Sequence, residues 1–257
     1  PSCSDFLFSP VKTAAGRGLL PIFNCRKYTI SIGFWEEFFF WPRKIFLYHL
    51  RIATPAAFAY NQRRKKVSFM IHIRPATPDD APALLAIYAP YVTDTAITFE
   101  YEVPALSDFR QRIEATLRTR PYLVLERDGE ILGYAYTGQL GSRAAYAWAA
   151  ETSIYLRQDC RRGGLGTRLY HALEDASRAQ HVQVLYACIA APTGAADYPH
   201  LSRASIDFHT RLGYAVAGTF HRCGYKFGTW YDVVWMEKRL SDDAVPPAVV
   251  PYSDHML

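Results

Sequence analysis

The chain has 257 residues, half of them apolar and 15% aromatic, enough to bury a full core in one large domain or in one ordinary domain with an extension. Its formal charge of +5 is unevenly placed: residues 1–69 hold 11 of the 29 Lys/Arg and 3 of the 24 Asp/Glu, so residues 70–257 carry 18 against 21 and are mildly acidic. That balance removes the clustered Lys/Arg surface that nucleic acid needs, and five cysteines in no paired metal spacing argue against a disulfide framework or a metal site and for a reduced cytoplasm.

The first methionine is Met70, directly before the point where a regular pattern begins. Residues 1–69 hold no consistent period of 2 or 3.6. Their aromatic run, residues 30–52, is interrupted by Glu36, Glu37, Pro42, Arg43 and Lys44 well before the roughly 20 apolar residues of a membrane span, and it lacks the order of a secretory signal. The expectation is an upstream extension, disordered or not native. The rival is a basic membrane-surface arm around Arg63, Arg64, Lys65 and Lys66.

From Met70 the elements follow in order. Ile71 and Ile73 alternate with polar residues as a short strand, ended by Pro75. Thr77, Pro78, Asp79 and Asp80 open a helix predicted to about Tyr91. The segment 94–104 is extended, either a strand or a substrate loop. Ser107 is the expected cap of a second helix, 108–118. Asp128-Gly129 predicts a hairpin between two apolar runs. A long strand, 146–156, then feeds a glycine turn and a helix over 166–180. A buried strand at 182–190, a loop at 191–201, a helix from Ser202 to Leu212 stopped by Gly213, and two strands joined through 225–229 complete the pattern. Residues 241–257, with Pro246-Pro247, read as a disordered tail. The order gives one mixed α/β domain over 70–240, with helices on both faces of a single sheet.

The informative stretch is ETSIYLRQDCRRGGLGTRLY, from Glu151 to Tyr170. Three glycines let a backbone approach a ligand and aim successive N–H groups into one concavity, the helix that follows adds its positive end, and Arg161 and Arg162 add charge. A pyrophosphate suits such a site. The alternative is a tight strand-to-helix turn that needs glycine for packing alone. No P-loop lysine and no dinucleotide-type GxGxxG at the first βαβ unit are present.

The pattern Arg161, Gly164, Gly166, after a strand and before a helix, resembles the acetyl-CoA signature of the GNAT N-acetyltransferase superfamily. RAAYAWAAETSIYL (143–156), SIDFHTRLGY (205–214) and HRCGYKFGTWYDVVW (221–235) are similar to the phosphinothricin acetyltransferase family, across nearly all of residues 70–240. The resemblance implies a GNAT fold with a mixed sheet of about seven strands flanked by about four helices, acetyl-CoA as co-substrate, no metal, and a homodimer with the aromatic C-terminal strands as contact surface. It places the cofactor on Ile154, Tyr155 and Leu156 at the strand end, on Arg161, Arg162, Gly163, Gly164, Leu165, Gly166 and Thr167 in the turn, and on Ser202 and Ser205 in the later helix. Ser202 stands where the family carries asparagine, and the loop before it is longer than usual, which puts an asparagine-type contact in doubt.

Acyl transfer from a thioester to an amine needs a neutral amine, a polarised carbonyl and a proton for the departing thiolate. Glu151, in an apolar, small-residue strand, is placed to have its pKa raised by desolvation and to act as general base; the alternative is a charge on the outer face. His209 stands where the family protonates the thiolate, although a lone helical histidine is more often surface or core. His181, His200 and His221 have weaker claims. Arg143 and Tyr146 are candidates to grip the acceptor's anionic group, and Phe99, Trp148 and Tyr225 to wall its pocket. The expected function is N-acetylation of a small amino-acid-like amine of the phosphinothricin or methionine sulfoximine type. The alternatives are another amine, such as a protein N-terminus or a polyamine, and a CoA-binding module without turnover.

Overall fold

Residues 24–25, 28–29, 70–160, 163–194, 198–253 and 256–257 are described by the computed structural model. The chain divides into two units, Pro1–Arg64 and Lys65–Leu257. In the first, Asn24–Cys25 and Tyr28–Thr29 pair as short antiparallel strands; the other readings of residues 1–69 lie outside the described residues. No helix among the described residues is long and apolar enough to cross a membrane.

In the second unit the strands are β1 (Ile71–Pro75), β2 (Tyr122–Arg127), β3 (Glu130–Gln139), β4 (Ala149–Leu156), β5 (Val184–Pro192), β6 (Ala215–Lys226) and β7 (Thr229–Arg239). The α-helices are α1 (Ala81–Asp94), α2 (Leu106–Leu117), α3 (Leu165–Ala179) and α4 (Ala204–Arg211). They build one sheet in the order β1-β2-β3-β4-β5-β7-β6, in which only β4 and β5 run parallel.

Strand alternation sets the two layers. Tyr122 and Val124 turn to α1 and α2, whereas Leu123 and Leu125 turn to α3, each set within its own cluster of buried residues. The β2–β3 hairpin is made by Asp128 and Gly129, both at positive φ (53° and 83°), as a two-residue turn of matching twist requires. At the start of α1, Thr77 and Asp80 form a capping box and Asp80 takes two hydrogen bonds from Arg74 at 2.8 and 2.9 Å, so the end of β1 and the start of the helical segment are fixed together.

Several expectations are adjusted. Residues 94–104 form no strand; Asp94 ends α1 and the rest belong to the α1–α2 loop. Ser107 lies inside the first turn of α2, whose N-cap is Ala105. The long strand expected from Tyr146 begins at Ala149, because Ala144–Tyr146 is a turn of 3₁₀ helix. Arg203, not Ser202, is the N-cap of α4, with Ser202 Oγ accepting the Ala204 N–H at 3.4 Å.

The largest correction concerns the C-terminal segment. Its described residues pack on the domain. Trp148 Nε1 donates to the Pro247 carbonyl (2.7 Å), Gln180 Nε2 donates to the carbonyls of Thr119 (2.7 Å) and Val250 (2.9 Å), and Tyr252 and Met256 sit against the leucines between β2, β3 and α3. Tyr252→Ala is expected to cost about 2–4 kcal/mol, as large-to-small changes in a buried site do. A lowered midpoint in denaturant with an unchanged slope checks it; a disordered tail would leave the midpoint where it was.

Candidate active site

The sheet opens at one place. β4 pairs with β5 from Ala149–Val184 to Thr152–Ala187 and then no further, while β4 goes on pairing with β3 to Leu156–Gly133 and β5 with β7 to Pro192–Tyr231. Each strand thus keeps its other neighbour and leaves one edge open. The amide of Leu156 is taken by Tyr91 Oη (3.2 Å), which in turn donates to the Leu156 carbonyl (2.6 Å). By the period of two, the main chain of Ile154 points to the same side, into the gap. An open strand edge of this kind receives amide groups of an extended ligand such as the pantetheine arm of CoA.

The helix α3 is aimed at this gap. Gly164, at φ 74°, is its N-cap, a left-handed conformation suited to glycine. At Gly166 an added Cβ would stand 3.3 Å from Leu156 and from the Phe208 ring, so glycine lets the helix end close on β4. The first N–H groups of α3, from Leu165, Gly166 and Thr167, have no intrahelical acceptors and carry the positive end of the helix dipole, which suits a pyrophosphate. The residues present therefore fit a CoA-type ligand. Arg161 and Arg162 lie outside the described residues.

Consecutive residues at the last paired rung face opposite ways. Glu151 stands opposite Gly138 on β3 and Tyr186 on β5, half-buried on the α1–α2 face. Burial raises the pKa of its carboxyl, with no ion pair to offset it. Thr152 points to the α3–α4 face, buried, and its hydroxyl is bonded to Tyr170 Oη at 3.0 Å and to the Tyr186 carbonyl at 3.1 Å.

His209 is on that second face, 3% exposed. Its Nδ1 bonds the Ser205 carbonyl at 2.7 Å and its Nε2 meets Tyr170 Oη at 2.7 Å. A carbonyl only accepts, so Nδ1 carries a hydrogen. The remaining contacts run from His209 Nε2 to Tyr170, from Tyr170 to Thr152 and from Thr152 to the Tyr186 carbonyl. Two hydroxyl hydrogens can fill only two of these three contacts, so the chain is complete only when Nε2 is also protonated. Burial pushes the histidine's pKa down and the Ser205 carbonyl pulls it up, which leaves a group that can hold or release one proton into a line of hydroxyls. Glu151 and His209 therefore do not meet; they flank β4 from opposite sides. Tyr170 and Thr152 were not among the sequence candidates, and the only sequence signal was Tyr170 in the second turn of the helix after the glycines.

The other sequence candidates are spread. Ile154 packs on the α3–α4 face. The Tyr155 ring lies on the opposite face, edge-on to Tyr88 (4.9 Å) and Tyr91 (5.1 Å), and its main chain faces β3 at the Tyr134 rung, so Tyr155 does not line the gap. Ser205 enters through its carbonyl, as the partner of His209. Arg143 is exposed at the start of the 3₁₀ turn before β4, and Tyr146, 44% exposed, lies against Gly141, where a Cβ would approach its ring to 2.9 Å. The indole N–H of Trp148 is spent on the C-terminal segment. Phe99 lies on Gly224, where an added Cβ would come within 2.2 Å of the ring. Tyr225 is exposed beside Trp230, and its carbonyl accepts the Tyr101 hydroxyl.

Comparison with known proteins gives this geometry its class. Residues 73–235 match the family described as acetyltransferase (GNAT) domain. The chain belongs to the GNAT acetyltransferase family and is an N-acetyltransferase. It is 32% identical to a phosphinothricin N-acetyltransferase of Streptomyces viridochromogenes over 181 residues, 70% of this chain and 94% of that protein. It is 34% identical to an L-methionine sulfoximine/L-methionine sulfone acetyltransferase of Pseudomonas aeruginosa over 178 residues, 68% of this chain and 98% of that one. Among solved structures, a phosphinothricin acetyltransferase of Sinorhizobium meliloti in complex with acetyl-CoA superposes with a TM-score of 0.62 at 27% identity, covering 70% of this chain and 95% of that chain. An N-acetyltransferase of Staphylococcus aureus does so with a TM-score of 0.61 at 29% identity, covering 67% and 99%.

Tyr170→Phe tests the line of hydroxyls. Loss of the oxygen that receives the Nε2 hydrogen lowers the pKa of His209 further, so the basic limb of the kcat profile is expected to move to lower pH, with kcat down about tenfold. A pH–rate series on free thiol release checks both; an unshifted limb would remove Tyr170 from the path.

Proposed function

We propose that the protein transfers acetyl from acetyl-CoA to the α-amine of a small amino acid of the phosphinothricin or methionine sulfoximine type, by direct attack. The observation that carries this reading is the rung where the sheet opens: a half-buried carboxylate without a cation, Glu151, points to one face, and the next residue, Thr152, begins the hydroxyl line to His209 on the other. Similarity to acetyltransferases of both acceptor types supports the substrate class.

In this reading Glu151 takes the proton that the amine must lose as its nitrogen forms the C–N bond to the acetyl carbonyl. A base with a raised pKa suits that step, because burial makes it a better proton acceptor than an exposed carboxylate. As the C–S bond breaks, the thiolate receives a proton through the Thr152 hydroxyl, replaced from Tyr170 and in turn from His209. The open edge at Ile154 and the first turn of α3 orient the donor, and Arg143 meets the acceptor's carboxylate. The sheet's far edge supports a homodimer: β6 is exposed along most of its length, with Val216 and Phe220 each 60% exposed. Cys160, Cys188 and Cys223 are free thiols, in keeping with a cytoplasmic setting.

Glu151→Gln is the test. Transfer is expected to slow by about a hundredfold or more, with the acidic limb of kcat/KM lost. The sign for stability is opposite. A carboxyl whose folded pKa is raised stabilises the fold below its ordinary pKa of about 4.3 and loses that contribution as pH rises through the folded value. At pH 8 the glutamine variant should therefore melt no lower than the parent. Normal turnover in this variant would end the assignment.

A further inference from the structure

On the Glu151 face, between β2, β3, β4 and the helices α1 and α2, lies a cavity of about 90 Å³, lined by Tyr88, Tyr122, Tyr134, Tyr136 and Tyr155 with Phe109, Thr116, Glu100 and Arg112. Packed tyrosines are ordinary in a core, but buried hydroxyls are ordinarily bonded. Here Tyr88 bonds Thr98 at 2.8 Å, while the hydroxyls of Tyr122, Tyr134 and Tyr155 make no hydrogen bond to the described residues and are not sealed off; the Tyr122 and Tyr134 side chains are 3% and 1% exposed and Tyr155 is partly buried. Burial holds all three phenols well above their usual pKa, so they stay protonated and offer donors to whatever enters.

One wall of the cavity, Tyr136, lies towards the reacting end. Tyr136 stands opposite Ser153 on the ladder and feels the Glu151 carboxylate, and Glu151 itself stands opposite Gly138. A Cβ at Gly138 would meet nothing within 4 Å, so there is open space over β3 beside the base. From Gly138 to Tyr136 is two residues, about 7 Å along the strand, which is the reach of a side chain of four or five heavy atoms.

Its electrostatics select among guests. The two charged side chains at the wall, Arg112 and Glu100, are paired at 2.6 Å, so the guanidinium is not free for an anion. The Glu151 carboxylate faces the approach and repels one. A neutral group with hydrogen-bond acceptors meets phenol donors at no such cost.

We propose that this tyrosine-lined cavity, entered over Gly138, is the subsite for the acceptor's side chain, and that it selects an uncharged, hydrogen-bond-accepting group of the sulfone or sulfoximine kind over an anionic phosphinate. The proposal rests on the acetyl-transfer reading above and adds to it a choice between the two acceptor types. The wall is held in place by Lys226, 3% exposed, whose ammonium donates to the carbonyls of Val92 (2.8 Å), Thr95 (2.9 Å) and Thr98 (2.9 Å) and so pins the loop that carries Thr98 and Glu100.

The full chain is assayed by thiol release with L-methionine sulfone, L-methionine sulfoximine and phosphinothricin. The sulfone is expected to exceed phosphinothricin in kcat/KM by about tenfold or more, because the anionic phosphinate meets the Glu151 carboxylate and a guanidinium already paired with Glu100. Gly138→Val, which fills the approach at an unstrained strand position, and Tyr134→Phe, which removes one donor, should each raise KM for the sulfone about five- to tenfold and leave KM for acetyl-CoA and the melting temperature unchanged. Preference for phosphinothricin, or an unchanged acceptor KM in both variants, overturns the subsite while Glu151-dependent transfer stands. Absence of transfer to every amino acid tried overturns the acetyl-transfer reading and the subsite with it.

Discussion

The parting of β4 from β5 beyond the Thr152–Ala187 pair is the constraint on which the rest depends. A parallel pair that closed along its full length would leave no edge for an extended ligand and no gap for α3 to point into. The opening is tolerable because each strand keeps an antiparallel partner on its other side, seven pairs for β4 with β3 and nine for β5 with β7. The unsatisfied backbone is then limited to a few groups on one edge, and one of them, the Leu156 amide, is already met by Tyr91. Gly166 follows from the same opening. The helix must end close to the gap, and any side chain there would press on Leu156 and Phe208.

Four of the buried or half-buried charges divide into those the fold satisfies and those it leaves poised. Lys226 has no carboxylate but meets three carbonyls at the end of α1 and in the loop beyond, where the helix dipole favours a cation. Asp232 accepts the Arg222 N–H at 2.8 Å and the Thr193 hydroxyl at 3.0 Å and bonds His221 at 3.0 Å, which holds the bulge of β6, where Arg222 has a φ of 50°. Both are structural, since their bonds hold loops and strands in position. Glu151 has no cation, and His209 has a contact chain one hydrogen short in its neutral state. That incomplete satisfaction suits the roles proposed for both.

The sheet and its helices were legible because they are written in local chemistry. Asp128-Gly129 makes a hairpin, Gly213 ends a helix at φ 87°, and alternation marks each strand. What depends on distant partners was not. The C-terminal segment reads as a tail because its Pro-rich sequence has no period, yet Gln180 and Thr119 meet it from far along the chain. Trp148 looked like a pocket wall for the same reason: its partner, Pro247, is 99 positions away. The glycine turn and Glu151 could be named from spacing. Tyr170 and Thr152 could not, because on a sequence they are one core tyrosine and one strand threonine, and only the packing of α4 on α3 joins them to His209. The five tyrosines of the cavity were scattered over α1, β2, β3 and β4, each at a position where core packing explained it.

The placement of Glu151 and Thr152 on opposite faces also bears on how the site resets. In the proposed mechanism, with β4 between them, a proton taken by Glu151 cannot pass directly to His209, so the two exchange with solvent separately. Glu151 is half-exposed and can do so through the acceptor side. His209, Tyr170 and Thr152 are 3%, 0% and 5% exposed, and their line ends at the strand edge where β4 leaves β5. A ligand filling the gap would close that end to water. In the proposed mechanism, restoring the proton on His209 is therefore coupled to departure of the thiol product, whereas Glu151 gives up its proton on the acceptor side. In that reading a single strand, by pointing adjacent residues to opposite faces, keeps the proton taken from the amine apart from the proton given to the thiolate.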